Sequence, residues 1–343
     1  VHDDAVSALA EACQACGVRR FVHLSAIGVD RETPTEFSRS KSTGDARLMA
    51  SDLDWVVLRP SVVTGPQAYG GSALFRGLAS LPVLPSLPGT GPLQVVQLAD
   101  IVSTILFFLQ ANAPSRVVLD LAGPDLLRME QIVSLYRRWL GWSESRVVLL
   151  PRWIAKVLFA AGDLAGLLGW RPPLRSTASR EIVRGATGDP QPWVRMTGIH
   201  PQSLQASLDA TPAGVQERWF ATLYFLKPLV FITLALFWLV TGVLSIGPGY
   251  VIGVSLMQEG GAGWLSGPSV IAGGLADLAI GLGIAVRRTA RRALWAGLGI
   301  SVFYAIAGTA LVPRLWIDPL GPMVKIWPIM VLMLVALAIL RDR

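Results

Sequence analysis

Four apolar stretches in the last third of the chain constrain its fold more than any other feature. They run from Pro228 to Ile246, Pro268 to Val286, Ala293 to Val312 and Gly321 to Leu340. Each is about 20 residues, the length an α-helix needs to cross roughly 30 Å of hydrocarbon. Continuous apolar runs lack the alternation of a barrel strand, and a helix satisfies its own backbone in lipid. A buried core helix is the competing reading. Four such runs in succession, in a chain with 15% charged residues and a mean hydropathy of +0.51, argue against it. The expectation is a four-helix transmembrane bundle following a water-soluble segment, with the lipid bilayer as partner.

The charges give an orientation. Arg287, Arg288, Arg291 and Arg292 fill the link between the second and third stretches, and the chain ends Arg341-Asp342-Arg343. The link 247–267 has no Lys or Arg, and 313–320 has only Arg314. Positive loops stay inside. Four crossings then put the N-terminal domain and the C-terminus on the cytoplasmic face of an inner membrane. The net charge of +7 is accounted for this way. No basic stripe is interleaved with aromatics, so nucleic acid is not an expected partner. The opening Val1-His2-Asp3-Asp4 is polar and is not a signal peptide.

Two ionisable groups lie within the stretches. Lys325 is close enough to an end to snorkel. Asp277 sits mid-stretch among Gly273, Gly274, Gly281 and Gly283. It could pair with a neighbouring cation, hydrogen-bond within the bundle, or carry a proton, and is the membrane candidate for function.

The N-terminal part alternates helix and strand. Helices are expected over 4–17, 36–51 and within 95–110, and strands over 20–25, 54–59 and 117–121. Such alternation implies a parallel sheet with helices on both faces. Beyond Gly123-Pro124, residues 126–141 form an amphipathic helix and 147–150 a strand. Residues 152–170 are apolar: either a helix in the membrane interface or, the preferred reading, a core helix of a small substrate domain. Residues 171–222 are polar and weakly periodic, as in a mobile cap or linker. The division is therefore 1–125, 126–222 and 223–343. Cys13 and Cys16 form a CxxC, but with no further ligands nearby they are taken as packing residues on a helix and no metal is expected.

The blocks from Ala15 to Ser25, Phe37-Ser38-Arg39-Ser40-Lys41, Trp55 to Pro66 and Val95 to Ile101 resemble successive blocks of an extended or atypical short-chain dehydrogenase/reductase. The branch is the one resembling the NAD(P)-binding accessory subunit of respiratory complex I. The final stretches resemble the DoxX-like membrane family. This resemblance implies a partial Rossmann-like sheet, NAD or NADP as cofactor, and an oxidoreductase or epimerase-like activity near quinone or another membrane redox partner. It implies roles for Ser25 and Lys41 in catalysis and cofactor contact, and for Arg59, Pro60, Ser61 and Val62 along the nicotinamide end. One residue of register leaves Ala26 as an alternative to Ser25. Lys41 is a ribose contact or an ordinary surface lysine.

Two departures stand against the pattern. The glycine-rich GxxGxxG turn is absent, as though the first half of the sheet were missing. Phe37 occupies the position of the family's catalytic tyrosine and cannot transfer a proton. Three functions follow as expectations: a membrane-anchored NAD(P)-dependent oxidoreductase, a catalytically inactive nucleotide-binding or assembly protein, or an activity residing in the DoxX-like bundle. The sequence names no substrate or oligomeric state.

Overall fold

A computed structural model describes residues 2–341; Asp342 and Arg343 of the basic C-terminus lie outside the described residues. The chain forms two compact units. One holds the residues up to Asp163 together with Pro173–Tyr224, and the other holds Leu164–Pro172 and the chain from Phe225 onward.

The first unit opens with helix α1 (His2–Ala15). Gly17, at φ +71°, closes it, and the Val18 N–H returns to the Cys13 carbonyl at 2.9 Å. Strand β1 (Arg20–Leu24) follows, then α2 (Glu36–Met49), whose first turn is capped by the Thr35 hydroxyl. Next come β2 (Asp54–Pro60), β3 (Val62–Thr64), α3 (Gly70–Ala79), β4 (Val83–Ser86) and β5 (Val95–Gln97). Helix α4 (Leu98–Phe108), β6 (Val117–Leu121), α5 (Met129–Trp139), β7 (Arg146–Leu149) and α6 (Arg152–Leu167) complete the run.

Strands β1, β2 and β6 form a parallel sheet in that order, with Leu24 opposite Leu58 and Arg59 opposite Asp120. Two further parallel pairs, β3 with β5 and β4 with β7, are separate. Alternation divides the central strand. Trp55 and Val57 pack with Val6, Ala10 and Leu48 from α1 and α2. Val56 and Leu58 pack with Ile101, Phe108 and Trp193 on the other side. The α/β reading is therefore sound, and β2 is buried on both faces as a central parallel strand should be.

Residues 171–222, expected as a mobile cap or linker, differ from that expectation. They form α7 (Ser176–Arg184), α8 (Gln191–Thr197), α9 (Leu204–Ala210) and α10 (Val215–Leu223). Trp193 is fully buried, and its indole N–H donates to the Thr104 hydroxyl at 2.9 Å. The helices are too short for a clear period, and one tryptophan anchors what the pattern could not reveal.

The second unit contains α11 (Leu226–Ile246), α12 (Tyr250–Glu259), α13 (Ser266–Ala285), α14 (Ala290–Leu311) and α15 (Ile326–Ile339). Three helical segments are long and apolar enough to cross a membrane: Leu226–Ile246, Gly263–Ala285 and Ala290–Leu311. The fourth expected crossing is shorter, 14 residues in α15. Pro328 explains its late start, because a missing N–H is tolerated only within the first turn. A helical turn still precedes it, with the Lys325 N–H donating to the Gly321 carbonyl at 3.1 Å. Helix α12 lies in what sequence suggested was a plain loop.

Small residues bring α11 and α13 together. A Cβ on Gly281 would meet the Leu239 nitrogen at 2.8 Å and the Ala235 carbonyl oxygen at 3.0 Å. One on Gly242 would meet the Gly274 carbonyl oxygen at 2.6 Å. Where lipid gives no hydrophobic reason to associate, such close backbone approach supplies the packing.

Candidate functional site

Parallel strands end on the same side, and in open α/β sheets ligands bind beyond their carboxyl ends. Here β1, β2 and β6 end at Leu24, Pro60 and Leu121. On the face toward α2, side-chain alternation puts His23, Arg59 and Asp120 near these ends. Helix α2 contributes Asp45, which is almost completely buried. Arg59 Nε donates to Asp45 Oδ2 at 3.1 Å, and His23 Nε2 lies 3.3 Å from Asp45 Oδ1. Arg59 Nη1 also reaches Asp30 Oδ2 at 2.9 Å, and Arg31 Nη2 lies 3.8 Å from Asp120 Oδ2. Charges thus alternate across the carboxyl edge.

The electrostatics follow from this arrangement. Burial acts to raise the Asp45 pKa, but His23, Ser25 and Arg59 outweigh it and hold the carboxyl below its ordinary value. Asp120 goes the other way: burial first, then the nearby Asp30, push it up against the pull of Arg31 and Arg59.

Two of the sequence-derived residues meet at this edge. Ser25 is the residue after β1; its hydroxyl is buried against Asp45 without a well-formed hydrogen bond. Lys41 Nζ donates to the Leu24 carbonyl at 2.9 Å, next door to Ser25. Burial lowers the Lys41 pKa, while the Asp45 charge one turn away opposes the shift. Phe37 stands one turn before Lys41 on α2, with its ring exposed. A phenyl ring there offers contact area but no proton. Ala26, the alternative to Ser25, is half-buried.

The second group has other commitments. Pro60 is the last residue of β2. The Ser61 hydroxyl faces two backbone carbonyls, those of Gln94 and Ala186, the latter at 2.9 Å. Its single proton is therefore engaged in tying the β2–β3 corner to neighbouring chain. Val62 opens β3. Asp277 belongs to the other unit, where it is buried and accepts a hydrogen bond from the Tyr304 hydroxyl at 3.2 Å.

The residues that sequence reasoning missed are Asp45, His23 and Asp120; Arg59 was expected at the nicotinamide end, not as the partner of Asp45. One signal was available: Asp45 is four residues after Lys41 and so shares its helix face. Two surface clefts lie elsewhere in this unit, one lined by Leu87, Arg128 and Leu149 and one by Asp125, Gln131 and Arg138. Neither touches Ser25 or Lys41. Among the described residues no group of three His, Cys, Asp or Glu side chains is gathered to hold a metal.

A nicotinamide cofactor fits this edge in part. Lys41 and the buried, poorly partnered Ser25 hydroxyl have the chemistry to hold the nicotinamide ribose, and the bound group would supply or accept hydride. No GxxGxxG turn for the pyrophosphate occurs in the 343 residues.

The chain carries an NAD(P)-binding domain followed by a DoxX-like domain. Residues 2–78 match the NAD(P)H-binding family, and residues 235–334 match the DoxX-like family. Among curated proteins, the chain is similar to the ceramide reductase of Caulobacter vibrioides (strain NA1000 / CB15N), 29% identical over 151 residues. That match covers 44% of this chain and 47% of the relative. It is also similar to NADH dehydrogenase [ubiquinone] 1 alpha subcomplex subunit 9, mitochondrial, of Dictyostelium discoideum, 23% identical over 118 residues, 34% of this chain and 33% of that protein. The chain spans less than half the length of these relatives. Among solved structures, the enzyme WbmG of Bordetella bronchiseptica in complex with NAD and UDP has a TM-score of 0.45 at 16% identity, covering 64% of this chain and 67% of that one. The expected cofactor class, NAD or NADP, accords with the NAD(P)H-binding match.

Proposed function

We propose that this chain is a membrane-anchored NAD(P)-dependent oxidoreductase whose substrate is carried in the lipid phase. One observation carries the reading: an NAD(P)H-binding segment and three helices of membrane-crossing length occur in one chain. A relative named for reduction of ceramide, a lipid, supports the substrate class. Lys41 and Ser25 are the proposed contacts to the nicotinamide ribose. The arginines at 287, 288, 291 and 292 support a cytoplasmic location for that end of the bundle and for the α/β unit, in an inner membrane. The C-terminus joins them if α15 and the turn before it complete a fourth crossing.

The test is nicotinamide fluorescence on the full chain in lipid nanodiscs, titrated with NADH and NADPH. Losing a charged hydrogen-bond donor costs about 1.5–3 kcal/mol, so Lys41→Ala should weaken binding roughly 10- to 100-fold. Absence of saturable binding by the wild-type chain refutes the proposal.

Phe37 favours a second reading, a nucleotide-binding assembly protein without turnover, in keeping with the complex I subunit relatives. Phe37→Tyr separates the two. If wild type binds cofactor but reduces no lipid ketone and the tyrosine variant does, the second reading holds for the natural chain.

A further inference from the structure

Helix α6 is apolar on two opposite sides, and protein covers only one of them. The covered line is Ala155 and Gly162, both buried. Gly162 packs so closely on the chain at Leu174 that a Cβ would overlap its carbonyl oxygen. At 100° per residue, Trp153, Val157, Leu164 and Leu167 fall within roughly 80° of each other, directly opposite that line. Their exposures are 68%, 59%, 60% and 84%. Arg152 and Lys156 flank the stripe. An apolar stripe this long, about 20 Å from end to end on a helix rising 1.5 Å per residue, is not a face that water solvates cheaply.

The chain itself indicates what covers the stripe. The helix is unbroken from Arg152 to Leu167, yet from Leu164 onward its residues belong to the membrane unit. There the Trp170 indole N–H donates to the carbonyl of Ala285, the last residue of α13, at 2.8 Å. The Arg287 N–H donates to the Leu168 carbonyl at 2.9 Å, and the Arg287 guanidinium lies 5.3 Å from the Trp170 ring centroid. Trp170 also packs on Phe231 of α11, ring centroids 4.8 Å apart. The end of a membrane-length helix sits at the boundary between hydrocarbon and headgroups. Tryptophan and arginine are the side chains that settle there. The C-terminal end of α6 is therefore fastened at headgroup level, beside Arg287, Arg288, Arg291 and Arg292.

We infer that α6 is an interfacial helix, its Trp153–Val157–Leu164–Leu167 stripe sunk among the acyl chains of the leaflet at the arginine-bearing end of the bundle. Arg152 and Lys156 meet anionic headgroups alongside those four arginines. Binding of this kind scales with buried apolar area plus attraction to anionic lipid. The sequence preferred a substrate-domain role for this helix over an interfacial one; the opposed stripe and the fastened end support the interface.

Site-directed spin labelling tests the inference on the full chain in vesicles of phosphatidylcholine and phosphatidylglycerol. Cys13 and Cys16 are first replaced by serine. Single cysteines are then placed at Val157→Cys and Leu164→Cys, with Glu11→Cys as the aqueous reference and Val240→Cys as the mid-span reference. Collision rates with oxygen, which partitions into lipid, and with a water-soluble nickel chelate are compared. The expected oxygen-to-nickel ratio at 157 and 164 is several-fold above that at 11 and below that at 240. A ratio equal to that at position 11 means the stripe faces water and overturns the inference. Low collision rates with both reagents, or spin–spin broadening, mean another protein surface or a second copy covers the stripe, and overturn it equally. Trp153→Cys repeats the reading independently if either first variant fails to reconstitute.

Discussion

Replacing Asp45 by asparagine keeps the shape of the side chain and removes its charge. Arg59, 7% exposed, then loses its ionic partner on Nε but keeps Asp30 at 2.9 Å. Breaking a buried ion pair from one side costs about 3–5 kcal/mol. The surviving Asp30 contact, and an amide oxygen that still accepts from Nε, put the cost near the lower end, about 3 kcal/mol. With a urea slope of about 2 kcal/mol per molar, the unfolding midpoint of the α/β unit falls by roughly 1.5 M. Pulse proteolysis of the full chain in detergent with added urea reads this, because cleavage reports the α/β unit while the bundle stays in its micelle. The pH dependence supplies the sign. The folded Asp45 carboxyl titrates below its unfolded value, so its stabilisation is present above about pH 4 and lost as pH falls through the folded pKa. The gap between wild type and variant should therefore close in acid. A midpoint change under about 0.3 M at neutral pH, against an expected shift set by the slope above, would refute the reasoning, as would a gap that widens in acid.

Other outcomes follow from particular contacts. Trp193→Ala empties a fully buried site in the α/β core and removes the indole donor to the Thr104 hydroxyl, which still donates to the Asp100 carbonyl, at a cost of about 3–5 kcal/mol; the same proteolysis should find α7 to α10 opening with the sheet, not before it. Gly281→Leu drives a side chain into the backbone of α11, and the full chain should lose its monodisperse peak on size exclusion in detergent. Asp277→Leu leaves the Tyr304 hydroxyl unpaired and should lower bundle stability by about 1 kcal/mol, whereas Asp277→Asn, which can still accept, should stay within about half of that; thermal denaturation in detergent compares them.

The legible parts of this fold were those with long local signals. Strands β1, β2 and β6 are runs of β-branched and aromatic residues with turn residues on either side, and each lies within a residue or two of its expected place. Strands β3, β4 and β5 span three or four residues and pair only with distant chain, so nothing local announces them. The fourth membrane stretch is as apolar as the others, but Pro328 shifts its helix start in a way hydropathy does not register. At the carboxyl edge, Lys41 and Ser25 were found through motif resemblance. The Asp45–Arg59–Asp30 network was not, because it needs the register that sets β2 against β6 and the depth at which α2 packs. Ser61 illustrates the reverse: its place in the motif was plain, while its hydroxyl turned out to be bonded to the backbone at Gln94 and Ala186.

Alkaline carbonate extraction of membranes carrying the full chain tests most directly whether lipid solvates the helices beyond residue 225. The chain is expected to stay with the sedimented bilayers at high pH. Recovery of the intact chain in the supernatant would contradict it, since three helices of membrane length, held in hydrocarbon, do not come away with peripheral protein.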